Sequence, residues 1–358
     1  MLGVIADDLT GAGDASVQFS KRGWRTLLKL GQKSWSPEQS GSPEESVVAV
    51  TTDCRALTNE AAEKVTADAL ISLMNAGIDR VFLKIDSTMR GSVPGQIAGS
   101  LAAWRTRYPD ASAIVCPAYP RMGRTVESNR LLVHGEPVEH TAIGRDPVTP
   151  VTTSDMSALL PRSAGIRVVD AATDADLTAI AESISAGGVS IIAVGSGGLA
   201  EALSRTWSES LPGLQRQPDH GVITKQKNSR ILLQVSSMNP VSLAQVARLK
   251  AVFPDVVVLS APAQRGDSAA VAQNLAREFA EQVERNQWDI VGLIGGDGAR
   301  ETLKQLGASG VRIVDSLLEG IPLGLVVGGK ADGTPVFTKA GGFGEEDALV
   351  RIVERMKG

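Results

Sequence analysis

The feature that most constrains the fold is a regular alternation of short apolar runs with longer stretches of helical periodicity. In the first third of the chain, five such runs predict strands, at residues 2–6, 26–30, 47–51, 81–85 and 113–116. Helical patterns lie between most of them, and the longest follows Thr58, a residue type favoured at helix N-caps. Strands that alternate with helices predict a mostly parallel sheet flanked by helices.

The same pattern continues through the rest of the chain, with a polar stretch between two groups of strands. Strands are predicted at 167–169 and 190–194, and then at 231–235, 256–259, 290–294, 323–327 and 336–338. Residues 208–227 between these groups are rich in Pro, Gln, Asp and Lys, as in a linker. The sequence therefore predicts an α/β protein of two domains, 1–214 and 230–358, joined by a linker at 215–229, with a cleft between them.

Composition excludes several classes of partner. The formal net charge is −4 and the charges are interspersed, which argues against nucleic acid or an anionic membrane as a partner. No cationic segment precedes the first apolar run, and no run approaches the roughly 20 residues that span a bilayer. Two cysteines and three histidines show no zinc-ligand spacing. We expect a cytoplasmic protein, and a homodimer on base rates.

Two carboxylates follow the first predicted strand. Asp7 and Asp8 stand at its end, ahead of Thr10, Gly11 and a helical pattern. Side chains at the carboxyl end of a parallel strand face the crevice where α/β sheets bind ligands. Because neighbouring strand residues point to opposite faces, one Asp is expected to face the crevice while the other caps the helix.

Polar side chains also follow the next strands. Arg55 comes after the third strand, 86–90 after the fourth, and Arg121 and Arg124 after the fifth. Acids, hydroxyls and arginines at one sheet edge suit a small polyhydroxy acid, since Arg clasps a carboxylate and Asp or Ser fixes hydroxyls. The alternative is that these loops merely hydrogen-bond one another.

Two glycine-rich turns in the second half indicate a seat for phosphates. They are Gly295–Gly298 and Gly341–Gly344, and each precedes a helical pattern. Backbone N–H groups and the helix dipole favour an anion there. Lys339 is expected to add a positive charge, and Asp297 to orient a magnesium-bound water or a ribose hydroxyl. Alternatively the glycines only turn the chain. The chain contains no Walker A pattern.

Two other enzyme classes fit the sequence poorly. The stretch 195–200 matches a dinucleotide fingerprint, but no strand ending in an acid follows it, so a packing turn is preferred over an NAD-dependent dehydrogenase. A haloacid-dehalogenase-type phosphatase needs a second Asp two residues after the first, where this chain has Leu9 and Thr10.

Taken together, these motifs resemble the four-carbon acid sugar kinase family, which includes threonate, erythronate and oxo-tetronate kinases. The matching stretches lie along nearly the whole chain: Ala6–Asp14, Lys84–Gly91, Gly123–Thr125, Gly295–Asp297 and Thr338–Gly344. The chain departs from the family pattern at Val235, where a glycine is usual, and at Gly298, where a threonine is usual. These departures bear on nucleotide binding and leave the substrate motifs intact.

The resemblance implies a role for each matching residue. The acid sugar is expected to bind through Asp7, Asp8, Arg55, Asp86, Ser87, Thr88, Met89, Arg90 and Arg124. ATP with Mg²⁺ is expected to bind through Ser236, Gly295, Gly296, Asp297, Lys339, Gly341, Gly342, Phe343 and Gly344. Asp8 or Asp7 is the expected general base, with Asp8 preferred, and Arg55 and Arg90 the expected grip on the substrate carboxylate. A non-catalytic sugar-acid binding or sensor protein is the alternative.

Overall fold

The computed structural model describes residues 1–30, 45–160, 165–210, 229–261 and 268–357. The chain divides into two compact units: unit 1 comprises Met1–Trp24 and Gly31–Arg216, and unit 2 comprises Arg25–Leu30 and Gln217–Gly358. The predicted linker at 215–229 lies outside the described residues except for Ser229.

The described residues contain sixteen strands and ten α-helices. The strands are β1 (Leu2–Ala6), β2 (Thr26–Lys29), β3 (Val47–Thr51), β4 (Arg80–Lys84), β5 (Ser112–Cys116), β6 (Arg124–Glu127), β7 (Arg130–Val133), β8 (Glu136–Pro137), β9 (Ile166–Val168), β10 (Ile191–Gly195), β11 (Ile231–Val235), β12 (Val257–Ser260), β13 (Ile290–Ile294), β14 (Gly310–Leu318), β15 (Ile321–Val327) and β16 (Pro335–Lys339). The helices are α1 (Leu9–Ser20), α2 (Asn59–Asn75), α3 (Val93–Arg105), α4 (Met156–Leu159), α5 (Asp174–Ala186), α6 (Gly197–Ser210), α7 (Pro240–Val252), α8 (Ser268–Arg285), α9 (Gly296–Gln305) and α10 (Ala348–Lys357).

Unit 1 is built on a parallel sheet in the order β3-β1-β4-β10-β5-β9. All five residues of β1 are buried, as expected for a central strand covered on both faces. A small antiparallel sheet, β6-β7-β8, follows β5. The chain runs from β1 to β3 on one side and then through α2 to β4 on the other. The strand order therefore reverses beside β1, where α/β sheets open a ligand crevice.

Unit 2 combines parallel and antiparallel strands. β12, β11, β13 and β16 are parallel neighbours, and β15, β14 and β2 extend the sheet in antiparallel fashion. Its core gathers apolar residues of the sheet with the buried faces of α7 and α10, including Leu249 and Val353. The order reverses again between β11 and β13, so unit 2 has its own switch point. The predicted α/β class, with a mostly parallel sheet flanked by helices, is confirmed.

Four strands were not predicted, namely β6, β7 and β8 of the small sheet and β14 of unit 2, and one predicted strand has an unexpected location. β14 carries Arg312, Asp315 and Ser316 among its apolar residues and contains register shifts, which breaks the alternation of an amphipathic strand. The strand predicted at 26–30 exists, but it pairs with β14 and belongs to unit 2. No helix among the described residues has the length and apolar character required to cross a bilayer.

Candidate functional site

The carboxyl edge of the sheet in unit 1 carries a compact group of charges, here called the acid–arginine cluster: Asp7, Asp8, Arg55, Asp86 and Arg90. Asp7 directly follows β1 and its side chain is fully buried. Arg55 holds it through two parallel hydrogen bonds, Nε to Oδ2 and Nη2 to Oδ1, each 2.8 Å. Burial raises the pKa of Asp7, and the charge of Arg55 acts in the opposite direction.

Asp8 has a different environment from Asp7, but the roles are not divided as predicted, since Asp8 is both the helix cap and the more exposed acid while Asp7 is buried. Asp8 is the N-cap of α1, with Oδ1 accepting the N–H of Gly11 at 2.5 Å and Oδ2 accepting the hydroxyl of Thr10 at 3.1 Å. Arg55 Nη1 lies 2.7 Å from its Oδ2. The side chain of Asp8 is 24% exposed, whereas that of Asp7 is 0% exposed. Only Asp8 of the pair is therefore accessible to a small ligand.

The loop after β4 is folded around Asp86. Its Oδ1 accepts the N–H of Thr88 at 2.9 Å and the Thr88 hydroxyl at 2.5 Å, and Arg90 Nη2 donates to its Oδ2 at 2.7 Å. Burial acts to raise the pKa of Asp86, but the charges of Arg90 and Arg55 outweigh it and hold that pKa well below its usual range. Asp86 is thus an anionic anchor for the loop.

Backbone conformation in this loop brings it close to Arg55. Met89 is buried in the left-handed region with φ 61°, and Ser87 beside it is half-buried. Gly91 has φ 88°, and a Cβ there would lie 2.7 Å from the carbonyl oxygen of Arg55. A side chain at residue 91 would therefore separate the two loops that hold the cluster.

The two arginines that follow β5 have different surroundings. Arg124 is mostly buried, donates to the carbonyl of Met122, and in the described part of the chain its buried Nε has no hydrogen-bond partner. Burial lowers its pKa, while Asp86 acts to raise it. Arg121 instead pairs with Asp174 at 2.9 Å and with Glu201 at 2.5 Å at the surface. Of the two, Arg124 has a buried donor without a partner in the described part of the chain, whereas Arg121 is engaged by two surface carboxylates.

An open pocket of about 640 Å³ adjoins the acid–arginine cluster within unit 1. Arg55 belongs to both features, and Met89 and Gly91 beside Arg90 line the same side of the pocket. Residues 56–60 and 92–94 at the starts of α2 and α3, residues 148–153, and Ala158 and Leu159 of α4 form the remaining walls. The cluster therefore borders a space large enough for a small ligand.

In unit 2, three neighbouring parallel strands deliver the predicted nucleotide-site residues to one edge. Ser236 follows β11, Gly295 and Gly296 follow β13, and Lys339 ends β16. Gly295 has φ 105° and begins α9 without a side-chain cap, so the first N–H groups of that helix lack an internal acceptor. Asp297 is exposed in the first turn. The structure thus brings these residues together around a helix N-terminus.

Gly298 explains one departure from the family pattern. A Cβ at this position would lie 2.1 Å from Ser236 Oγ and 2.3 Å from Ser236 Cβ. Ser236 is itself held by its hydroxyl, which donates to the carbonyl of Ile294 at 3.1 Å. A threonine at 298 would require Ser236 to move, and glycine allows close contact between the two loops.

Residues 341–344 form the other predicted loop, between β16 and α10. Gly342 and Gly344 are exposed, and the half-buried ring of Phe343 leaves no room for a Cβ on Gly320, which would lie 2.2 Å from it. Lys339 is fully buried and its Nζ donates to the carbonyls of Ala340 at 2.9 Å and Gly341 at 3.4 Å. Burial lowers its pKa to about 8. Its charge therefore lies beneath the loop.

Comparison with known proteins identifies the family. A sugar-binding N-terminal domain family matches residues 2–167, and a nucleotide-binding C-terminal domain family matches residues 259–349. A D-threonate kinase of Bordetella bronchiseptica is 36% identical over 99% of this chain and 97% of its own length. The chain belongs to the four-carbon acid sugar kinase family. The predicted resemblance is thereby confirmed.

Two further relatives show the range of the four-carbon acid sugar kinase family. A D-erythronate kinase of Heliobacterium modesticaldum is 28% identical over 98% of this chain and 96% of its own length. A solved structure from Bordetella bronchiseptica, described as a domain of unknown function with bound citrate in a domain-swapped dimer, is 34% identical. It covers 99% of this chain and 98% of that chain, with a TM-score of 0.55.

Two residues near this family member's sites were not assigned a role from the sequence, although Lys84 lies within a matching stretch. Asp146 pairs with Arg90 at 3.5 Å and accepts the N–H groups of Val148 and Thr149, which ties the pocket wall to the cluster. Lys84 ends β4 with its buried Nζ donating to the carbonyl of Ile85. Asp146 is an isolated Asp in a turn, which nothing in the sequence distinguishes. Lys84 ends an apolar strand, and a charged residue in that position is a signal that could have been used.

The donor set for a divalent cation is small. No group of three His, Cys, Asp or Glu side chains suited to a metal occurs among the residues that the structure describes. Mg²⁺ that accompanies a nucleotide is held mainly by phosphates and water with one or two carboxylates. Asp297, exposed beside the glycine turn, fits that limited requirement.

The glycine stretch that begins at the last residue of β10 packs closely against neighbouring loops. A Cβ on Gly195 would lie 2.5 Å from the carbonyl of Cys116, and one on Gly198 would lie 2.9 Å from that of Ala118. The interpretation of 195–198 as a packing turn is confirmed, and the close approach serves neighbouring strands and loops of the sheet.

Proposed function

We propose that this protein transfers a phosphoryl group from ATP to the terminal hydroxyl of a four-carbon sugar acid. D-threonate is the first candidate, since the D-threonate kinase of Bordetella bronchiseptica is 36% identical to the chain. The observation that supports the proposal most is the accessible carboxylate of Asp8, held by Arg55 near Arg124, whose buried Nε has no hydrogen-bond partner among the described residues. Unit 1 binds the acceptor in this proposal, and unit 2 binds the nucleotide.

Each part of the acid–arginine cluster has a chemical task in this reaction. Asp8 accepts the proton of the attacking hydroxyl, because it is the exposed member of the acid pair. Asp7 and Asp86 neutralise Arg55 and fix its position. Arg90 and Arg124, whose buried Nε has no partner among the residues that the structure describes, hold the substrate carboxylate. Asp86, Ser87, Thr88 and Met89 shape the loop that receives the substrate hydroxyls.

The nucleotide site depends on backbone groups. The N–H groups at the start of α9 and in the loop 341–344 bind the phosphates. Asp297 holds Mg²⁺ or its water, and the cation supplies charge neutralisation during transfer. We also propose that the protein works in the cytoplasm and forms a homodimer, since the solved relative from Bordetella is described as a domain-swapped dimer.

An assay of ADP release with D-threonate, D-erythronate, 3-oxo-tetronates and glycerate tests the function. We expect turnover with at least one four-carbon acid and little with glycerate. Thermal shift with ATP–Mg²⁺, ADP, NAD and each acid identifies the alternative. Stabilisation by a sugar acid alone, without ADP release, would replace the kinase with a binding or sensor protein.

A further inference from the structure

The carbonyl groups of the loop between β16 and α10 are bound from inside unit 2 by side chains of one helix. Gln245 of α7 is fully buried, and its Nε2 donates to three loop carbonyls, those of Phe343 and Gly344 at 3.1 Å and of Glu345 at 2.7 Å. Ser242, one turn earlier on α7, donates its hydroxyl to the carbonyl of Gly341 at 2.6 Å.

Lys339 completes this arrangement from the end of β16. Its ammonium donates to the carbonyls of Ala340 and Gly341, so that five carbonyl oxygens between residues 340 and 345 are bound by buried or partly buried donors. In a planar trans peptide, the carbonyl and the next N–H point in opposite directions. Binding the carbonyls on the inner side therefore turns the following N–H groups outward.

We propose that Gln245 is the positioning residue of a phosphate-binding loop at 341–346. With its carbonyls held by Gln245, Ser242 and Lys339, the loop presents the N–H groups of Gly341, Gly342, Gly344, Glu345 and Glu346 as an anion-binding concavity. The ligand class is the phosphate chain of a nucleoside triphosphate. This inference rests on the proposed function and adds a residue outside the family motifs.

The amide of Gln245 is suited to this task for a physical reason. A single NH₂ group spans three successive carbonyls, and in the described part of unit 2 those of Phe343 and Gly344 have no other buried donor. Without the amide, these carbonyls would have to rotate toward water to be satisfied, because buried unpaired carbonyls are costly. Rotation of each carbonyl also turns the following N–H inward.

The test is Gln245→Met, which keeps the length and bulk of the side chain and removes the donors. We expect the KM for ATP to rise at least tenfold while the KM for the sugar acid stays within twofold. Backbone amides at 341–346 should exchange with deuterium faster than in the wild type. Gln245→Glu, which places an acceptor against three carbonyl oxygens, should have a larger effect on both readouts.

Val246→Ala is the matched control, since Val246 is buried on the same helix and packs in the apolar core. It should lower stability while leaving the KM for ATP and the loop exchange near wild-type values. Equal effects of Gln245→Met and Val246→Ala on the KM for ATP, or an unchanged KM in Gln245→Met, would overturn the inference.

Titration calorimetry with ATP–Mg²⁺ separates this inference from the proposed function. If the wild type binds ATP but phosphorylates no sugar acid, the proposed function fails, and weaker ATP binding by Gln245→Met would still support the loop assignment. If the wild type binds no ATP, the assignment of the loop to nucleotide phosphates is wrong.

Discussion

The sites in the two units are built from different chemical groups. In unit 1, full charges on side chains meet at a sheet edge, with Arg55 lying between Asp7, Asp8 and Asp86. In unit 2, backbone amides in glycine loops are oriented by buried Gln245 and Ser242. An ion-paired cluster loses function when one charge is removed, whereas a backbone site loses it when its supports are removed.

The largest expected effect is on the charged site. Asp8→Asn should lower kcat by about 10²–10⁴-fold, the contribution typical of a positioned base. Asn caps helices as well as Asp, so α1 should remain intact. The KM for ATP should stay near wild type in the steady-state assay. Wild-type turnover in both Asp8→Asn and Asp7→Asn would remove the general base from this acid pair.

The next effect is expected at Lys339, which lies beneath the loop of unit 2. Replacing it should change the free energy of unfolding. The pKa of Lys339 lies near 8, below its unfolded value of 10.5, so the folded state disfavours the charged amine at neutral pH. Stability should therefore rise with pH between about 8 and 10.5, where only the unfolded chain retains this proton.

Lys339→Met measures that contribution. The variant should be more stable than the wild type near pH 7, by up to roughly 3 kcal/mol, with this advantage shrinking as pH approaches 10.5. Its KM for ATP should rise because the loop loses a donor and a nearby charge. Urea unfolding of both proteins from pH 7 to 10.5 gives the difference. A constant difference across this range would contradict burial of a charged amine.

A moderate effect is expected at Arg124, whose buried Nε has no hydrogen-bond partner among the described residues. Arg124→Gln should raise the KM for the sugar acid by about 10- to 100-fold, as expected when a hydrogen bond to a charged group is lost. The KM of Arg124→Lys for the sugar acid should lie between those of Arg124→Gln and the wild type. Lys keeps the positive charge but lacks the planar set of guanidinium N–H donors. Initial-rate kinetics with varied acid check this, and a change confined to the KM for ATP would refute the assignment.

The smallest effect belongs to the surface arginine near the same strand end. Arg121 is 45% exposed, as is its partner Asp174. Arg121→Gln should change the free energy of unfolding by less than about 1 kcal/mol and leave both KM values unaltered. Thermal unfolding and the same kinetic assay test this. A selective increase in the KM for the acid would place Arg121 in the substrate site.

The contrast between the sites also explains what could be predicted from the sequence. Asp7, Asp8, Asp86 and Arg90 follow apolar runs, so their shared edge could be inferred before any coordinates. Which acid was buried could not, because that depends on the bidentate grip of Arg55 from another loop. The glycine turns were visible, but nothing in the sequence distinguishes Gln245 from an ordinary polar helix residue.

The strand β2 has a consequence for dissecting the protein. Residues 25–30 leave the first unit and pair with β14 in the second. A fragment made of residues 230–358 would lack this segment and would expose the backbone edge of a long strand. Such an edge invites pairing with another copy. Anyone expressing the back half alone should therefore graft the hexapeptide onto it or expect aggregates.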